Sequence, residues 1–200
     1  VLADHGDGMG SHRMVTKQVS FYEEMTNVPF IIAGPGIHPR QKPVEDLLTQ
    51  PTIDLLPTLC ELAGIPVPSS KPGISLAPFL KGEKQKRQHP YAASEWHSEY
   101  EVTVSPGRMI RSPRYKYTHY LEGNGEELYD MLKDKGERRN LAHDPKYSKI
   151  LAEHRALLDD YIRRTQDDYR SLKVEADKRW RSHAPGYPNH EGPCARDIIN

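Results

Sequence analysis

The first seventeen residues, VLADHGDGMGSHRMVTK (Val1 to Lys17), decide how the rest of the chain is read. Val1 to Ala3 reads as the end of a buried strand. Asp4, His5 and the glycines at 6, 8 and 10 then read as a loop leaving its C-terminal end, the edge of an open α/β sheet where ligands gather. A second strand is expected at VPFIIAG (Val28 to Gly34), a continuous apolar run closed by the turn signal GPG and suited to burial on both faces. Two such strands, with helical sequence between and after them, predict an α/β layer.

The loop collects donors of several kinds. The Asp4 carboxylate offers hard oxygen ligation to a divalent cation, and the neutral His5 imidazole offers a second ligand or a proton donor to an oxyanion. An isolated Asp-His pair is more often structural than metal-binding, with the Asp capping the next turn. Gly6, Gly8 and Gly10 allow close backbone approach to a ligand, or simply punctuate a surface loop. His12 can donate to an anion or stand in solvent. Lys17, twelve residues beyond His5, is a point charge on a long stem that can reach back towards a metal-bound anion, or can sit in water.

Further along, Asp54 is expected to cap a helix with Pro57 in its first turn, apolar faces from Leu55, Leu56, Leu59, Cys60, Leu62 and Ala63, and Gly64 as its stop. Cys60 reads as a packed thiol rather than a nucleophile. From Ile65 to His89 the chain is rich in Pro, Gly, Ser and Lys, with one short helix candidate at SLAPFLKG, and marks a boundary. Strands follow at Tyr91 to Trp96 and as a hairpin in RMIRSPRYKYTHYLE, broken at RSPR. Glu95, Trp96, His97 and Arg111 lie in or near these strands, where packing roles are favoured over contact with a sugar or aryl group. A long amphipathic helix is expected from Asp144–Pro145 to Leu172, with Tyr147, Ile150, Leu151, Leu157, Leu158, Tyr161 and Ile162 at helical spacing. The expected domains are 1–89, an α/β core portion; 90–172, a small antiparallel subdomain with its packed helix; and 173–200, an extended tail.

Lys+Arg and Asp+Glu are both 28, so the net charge is +0 and no global field recruits nucleic acid or an acidic membrane face. No apolar run approaches the length of a membrane span. Cys60 and Cys194 make neither a disulfide framework nor a paired metal motif. Residue 1 already lies in an apolar run without an initiator Met, so the chain is expected to be a piece of a longer protein.

DHGDGMGSHRMVTKQVSFYEEMTNVPFIIAGPG (Asp4 to Gly36) resembles the region of sulfatases that runs D-H/N-G, glycines, H, K, a Y-E helix and a VP-apolar-PG strand. Asp4, His5, Lys17, Tyr22, Glu23, Val28, Pro29, Pro35 and Gly36 fall in register. TIDLLPTLCELAGIPVP, GISLAPFLKG, RYKY and EELYDMLKDKGERRNLA extend the likeness to about Leu158. The resemblance implies the C-terminal part of an alkaline-phosphatase-like α/β sandwich. It implies Asp4 and His5 as ligands of a divalent metal, Ca²⁺ first and Mn²⁺ second, Lys17 as a catalytic, sulfate-binding cation, and His12 as a substrate contact. It also implies a sulfated small-molecule or glycan substrate, an N-terminal part of the same protein as partner, and a secreted, periplasmic or lysosomal setting.

The family's formylglycine nucleophile arises in a C/S-x-P-x-R motif, which neither CELAG at Cys60 nor CARDI at Cys194 matches. The nucleophile and the remaining metal ligands are therefore expected upstream of residue 1, and the chain alone is expected to bind metal weakly and turn nothing over. Two alternatives stand beside the sulfatase: a phosphonate monoester or phosphodiester hydrolase of the same superfamily, and a noncatalytic binding module.

Overall fold

The structure, a computed structural model, describes residues 1–14, 20–40, 42–44, 47–70, 72–85, 88–96, 106–121 and 125–171. The chain is α/β, built on a four-stranded antiparallel sheet, β1 (Ala92–Trp96), β2 (Gly107–Arg111), β3 (Tyr115–Tyr120) and β4 (Gly125–Asp130), in that spatial order. β1 to β3 are the strands expected from the sequence. β4 is a strand the sequence reading missed, because GEELYD places two weak strand formers, Glu126 and Glu127, at its centre.

Alternation along the strands gives the sheet two different faces. Ile110, Tyr117 and Leu128 stand opposite one another on one face and join Leu141, Leu151 and Leu158 in an apolar core. Met109, Lys116, Thr118, Glu127 and Tyr129 point the other way, and these too are buried. That second face lies under the segment around Phe21 and Tyr22, where Met14, Tyr22, Tyr129 and Met131 form a smaller cluster.

The helix on the apolar face, α4 (Ser148–Thr165), follows a 3-10 turn at Pro145–Tyr147 that Asp144 caps through its side chain, as expected. It stops seven residues before the expected Leu172, which lies outside the described residues. Gln166 turns left-handed at φ 55, and Asp167 leaves the helix to clasp Arg108 through paired bonds of 2.6 and 2.9 Å. Arg108 is only 3% exposed, so the pair gives a buried guanidinium the carboxylate that a continuing helix would deny it, beside its bonds to the Trp96 and Gly107 carbonyls.

Three other expectations are corrected. The two runs Val1 to Ala3 and Val28 to Gly34 meet only at one antiparallel bridge, Leu2 to Phe30. Val1 and Ile31 are 85% and 59% exposed, because no described layer covers them. The helix expected to start at Asp54 starts instead at Pro51, as α2 (Pro51–Leu62). Its polar side is the buried one: Asp54 accepts from Gln50 N, Ile74 N and His89 Nε2, each at 2.8 Å, whereas Leu56 and Leu59 are exposed. Cys60 is a free, half-buried thiol rather than a core residue. The short helix in SLAPFLKG is α3 (Ala77–Leu80). Residues 173–200, including Cys194, lie outside the described residues. Among the described residues no helix is long and apolar enough to cross a membrane.

Candidate metal and anion site

Asp4 and His5 lie on the opening loop as neighbours in space as well as in sequence. The His5 backbone N–H donates to Asp4 Oδ1 at 3.0 Å, and His5 Nε2 stands 3.6 Å from Asp4 Oδ2. His5 Nδ1 lies 2.8 Å from the Gly6 carbonyl oxygen. A carbonyl can only accept, so Nδ1 carries the proton and Nε2 presents its lone pair on the side of the carboxylate. This is how a metal-binding imidazole is normally oriented. The Asp4 and His5 side chains are 88% and 44% exposed, open to an incoming ion.

The loop is fixed from behind by α1 (Glu23–Thr26). Gly6 N donates to the Met25 carbonyl at 2.9 Å, and a Cβ on Gly6 would fall 1.7 Å from the Glu24 carbonyl oxygen. Only glycine fits there. Asp7 accepts from Met9 N at 3.2 Å, and Gly10, at φ 96, leads into a 3-10 turn at Ser11–Arg13.

His12 goes elsewhere. Its ring stacks on Tyr22 at 3.7 Å with a 2° interplanar angle, and its Nε2 lies 3.8 Å from Glu24 Oε2. Its position on one wall of an open cleft of about 690 Å³ leaves a ring edge accessible, but the face is used in packing. Lys17 lies outside the described residues. Of the predicted set the structure therefore brings Asp4 and His5 together and directs His12 onto Tyr22. Among the described residues no group of three His, Cys, Asp or Glu side chains stands ready to hold an ion. One carboxylate oxygen and one oriented imidazole nitrogen fit a divalent cation as two members of a larger ligand set.

Beneath α1 lies a cluster to which the sequence reading gave no role. Lys116, 1% exposed, pairs its ammonium with Glu23 Oε1 at 2.8 Å and Glu137 Oε1 at 2.9 Å and donates to the Phe21 carbonyl at 2.7 Å. Glu137 Oε2 accepts from Glu23 N at 2.6 Å. Glu127 lies alongside, and burial, with Glu137 adding to it against the opposing pull of Lys116, pushes its carboxyl up to about 7. Burial likewise raises the hydroxyls of Tyr22 and Tyr129, which hydrogen-bond to each other. RYKY and EELYDMLKDKGERRNLA contain these residues, so the signal was present as motif but not as chemistry. Glu95 accepts from Tyr161 at 2.7 Å and Arg111 bonds Ser112 O, both packing contacts; His97 lies outside the described residues.

Comparison with known proteins adds the family context. Residues 10–164 match the model of the N-sulphoglucosamine sulphohydrolase C-terminal family. A delta 4,5-hexuronate-2-O-sulfatase of Bacteroides thetaiotaomicron is 76% identical over 199 residues, 100% of this chain and 41% of that protein. The solved structure of a 2-O GAG sulfatase superposes with a TM-score of 0.88 at 77% identity, covering 98% of this chain and 42% of that one. A phosphonate monoester hydrolase from Silicibacter pomeroyi superposes with a TM-score of 0.72 at 26% identity, covering 88% of this chain and 38% of that one. The chain thus spans well under half the length of these relatives.

Proposed function

Because the chain belongs to the sulfatase family, matching its C-terminal portion, we propose that it supplies part of the metal and anion site of an enzyme hydrolysing sulfate esters. The substrate class is a 2-O-sulfated, unsaturated hexuronate, by likeness to the relative that is 76% identical. The observation that supports this reading is the Asp4–His5 pair, with the imidazole tautomer set by Gly6 O.

Asp4 would give a divalent cation a carboxylate oxygen and His5 its Nε2, with the Gly6 carbonyl steadying the ring. Calcium is the ion we favour, from the family resemblance, and manganese the second, since calcium prefers oxygen donors and the His5 imidazole suits a transition metal better. When bound, such a cation withdraws electron density from the non-bridging sulfate oxygens. Lys17 would set an ammonium against another of those oxygens as negative charge builds there. His12, packed on Tyr22, would contribute at most a ring edge to substrate. The covalent step of the family belongs to a formylglycine, for which Cys60 and Cys194 lack the flanking Pro and Arg. Residues 1–89 we assign to the catalytic core, 90–172 to a subdomain bracing it, and 173–200 to a tail.

The test compares two substrates for the full-length protein. Sulfate release from the sulfated uronide should exceed hydrolysis of an aryl phosphonate monoester by roughly a hundredfold or more in kcat/KM, at least 2.7 kcal/mol in transition-state stabilisation. The reverse preference would select the phosphonate hydrolase reading, which the structural likeness at 26% identity keeps in view. Activity on neither, with the fold intact, would select the noncatalytic module.

A further inference from the structure

We propose that Lys116 is a positioning residue for the Asp4–His5 loop, acting from the sheet through α1. The proposal rests on the metal-site reading above for its consequence, and on the geometry of the sheet for its cause.

A lysine buried in the middle of a strand is costly unless its ammonium is paired and its protons are used. Lys116 meets both conditions: its ammonium pairs with Glu23 Oε1 at 2.8 Å and Glu137 Oε1 at 2.9 Å, and it donates to Phe21 O at 2.7 Å and, at 3.5 Å, to Thr26 Oγ1. Phe21, Glu23 and Thr26 bracket α1. A four-residue helix has no stability of its own, so its place is set by what grips it. Glu137 completes the grip, accepting from Glu23 N while its backbone holds a left-handed φ of 48. α1 in turn holds the loop through Gly6 N to Met25 O, with no room for a Cβ at Gly6. Two residues upstream of Gly6 is Asp4. The path from Lys116 to the candidate ligands is therefore a continuous set of ion pairs, hydrogen bonds and one close backbone contact.

A buried ion cluster is weak support for stability, since apolar side chains of similar volume often do as well. What this cluster adds is direction: it ties one strand to one helical turn in one register. Arg108 and Asp167 form a comparably buried ion pair on the other face of the same sheet and provide the control.

The experiment uses the full-length protein, with Lys116→Met, Glu23→Ala and the control Arg108→Met. Hydrogen exchange at the Gly6 amide is measured without metal, and calcium affinity is measured by titration. Lys116→Met and Glu23→Ala should each speed Gly6 exchange and weaken calcium binding about tenfold, the effect expected when an orienting partner of a metal ligand is lost. Arg108→Met should lower the melting temperature while leaving both quantities within about twofold of wild type. If Lys116→Met fails to fold, Glu23→Ala, altered at a partly exposed position, decides the matter alone. Gly6 exchange unchanged in the α1-cluster variants, or raised as much by Arg108→Met, overturns the proposal. So does faster exchange with an unchanged calcium affinity. A wild-type protein that binds no calcium would remove the metal reading, and the exchange comparison would then decide the positioning by itself.

Discussion

Glu127 faces Glu137 and Lys116 from β4, 4% exposed, with its carboxyl pushed up to about 7 chiefly by burial. Its folded state therefore binds a proton more tightly than the unfolded chain, whose carboxyl titrates near 4.5. Stability from this group is fully present below that lower value, falls as pH rises towards 7, and is constant above it. The total change is on the order of 3 kcal/mol. Glu127→Gln should consequently be more stable than wild type at pH 8, by about 1–3 kcal/mol, and should flatten the stability profile between pH 5 and 7. Urea denaturation across that range measures it; a variant with the wild-type slope would show that Glu127 is ionised in the fold. At this scale the sequence was only partly legible. Asp4 and His5 could be picked out because adjacency in the chain is adjacency in space. Lys116 could not, because in YKYTHY a lysine alternating with tyrosines reads as solvent-facing, and here the polar side of the strand is covered by the Phe21–Tyr22 segment. His12 was legible as a loop residue but not as a stacking partner ten positions from Tyr22.

Among the elements, α4 was found from its Asp144–Pro145 start and its apolar spacing, both local signals. Its end was not local, since it depends on Asp167 reaching Arg108 fifty-nine residues away. Asp167→Ala leaves Arg108 buried without its carboxylate and should destabilise the protein by roughly 3 kcal/mol or more. An effect below about 1 kcal/mol in chemical denaturation would mean that solvent reaches Arg108. α2 failed in the opposite way. Its apolar residues suggested a core-facing stripe, yet the buried side carries Asp54 and Thr58, which satisfy the amides of Ile74 and Leu76 at 2.8 and 2.9 Å. Asp54→Ala removes the acceptor for Gln50 N, Ile74 N and His89 together, and should cost about 2–4 kcal/mol. A melting temperature unchanged from wild type would contradict that assignment.

At the level of the whole molecule, the sheet joins two functions through its two faces. One carries the apolar core under α4; the other carries the ionic cluster that grips α1 and, through it, the opening loop. The α/β class and the strands β1 to β3 could be read from periodicity and turn signals, whereas the exposure of Val1, Leu2 and Ile31 could not, because an apolar run says nothing about which partner covers it. With two candidate ligands and no formylglycine motif, the chain by itself should bind calcium weakly and release no sulfate from a 2-O-sulfated uronide. The most direct measurement is kcat/KM of the full-length protein on that substrate, with Asp4→Ala beside wild type. The account predicts a loss of roughly a thousandfold or more, with the melting temperature in calcium-free buffer unchanged. Near-wild-type kcat/KM for Asp4→Ala would contradict it.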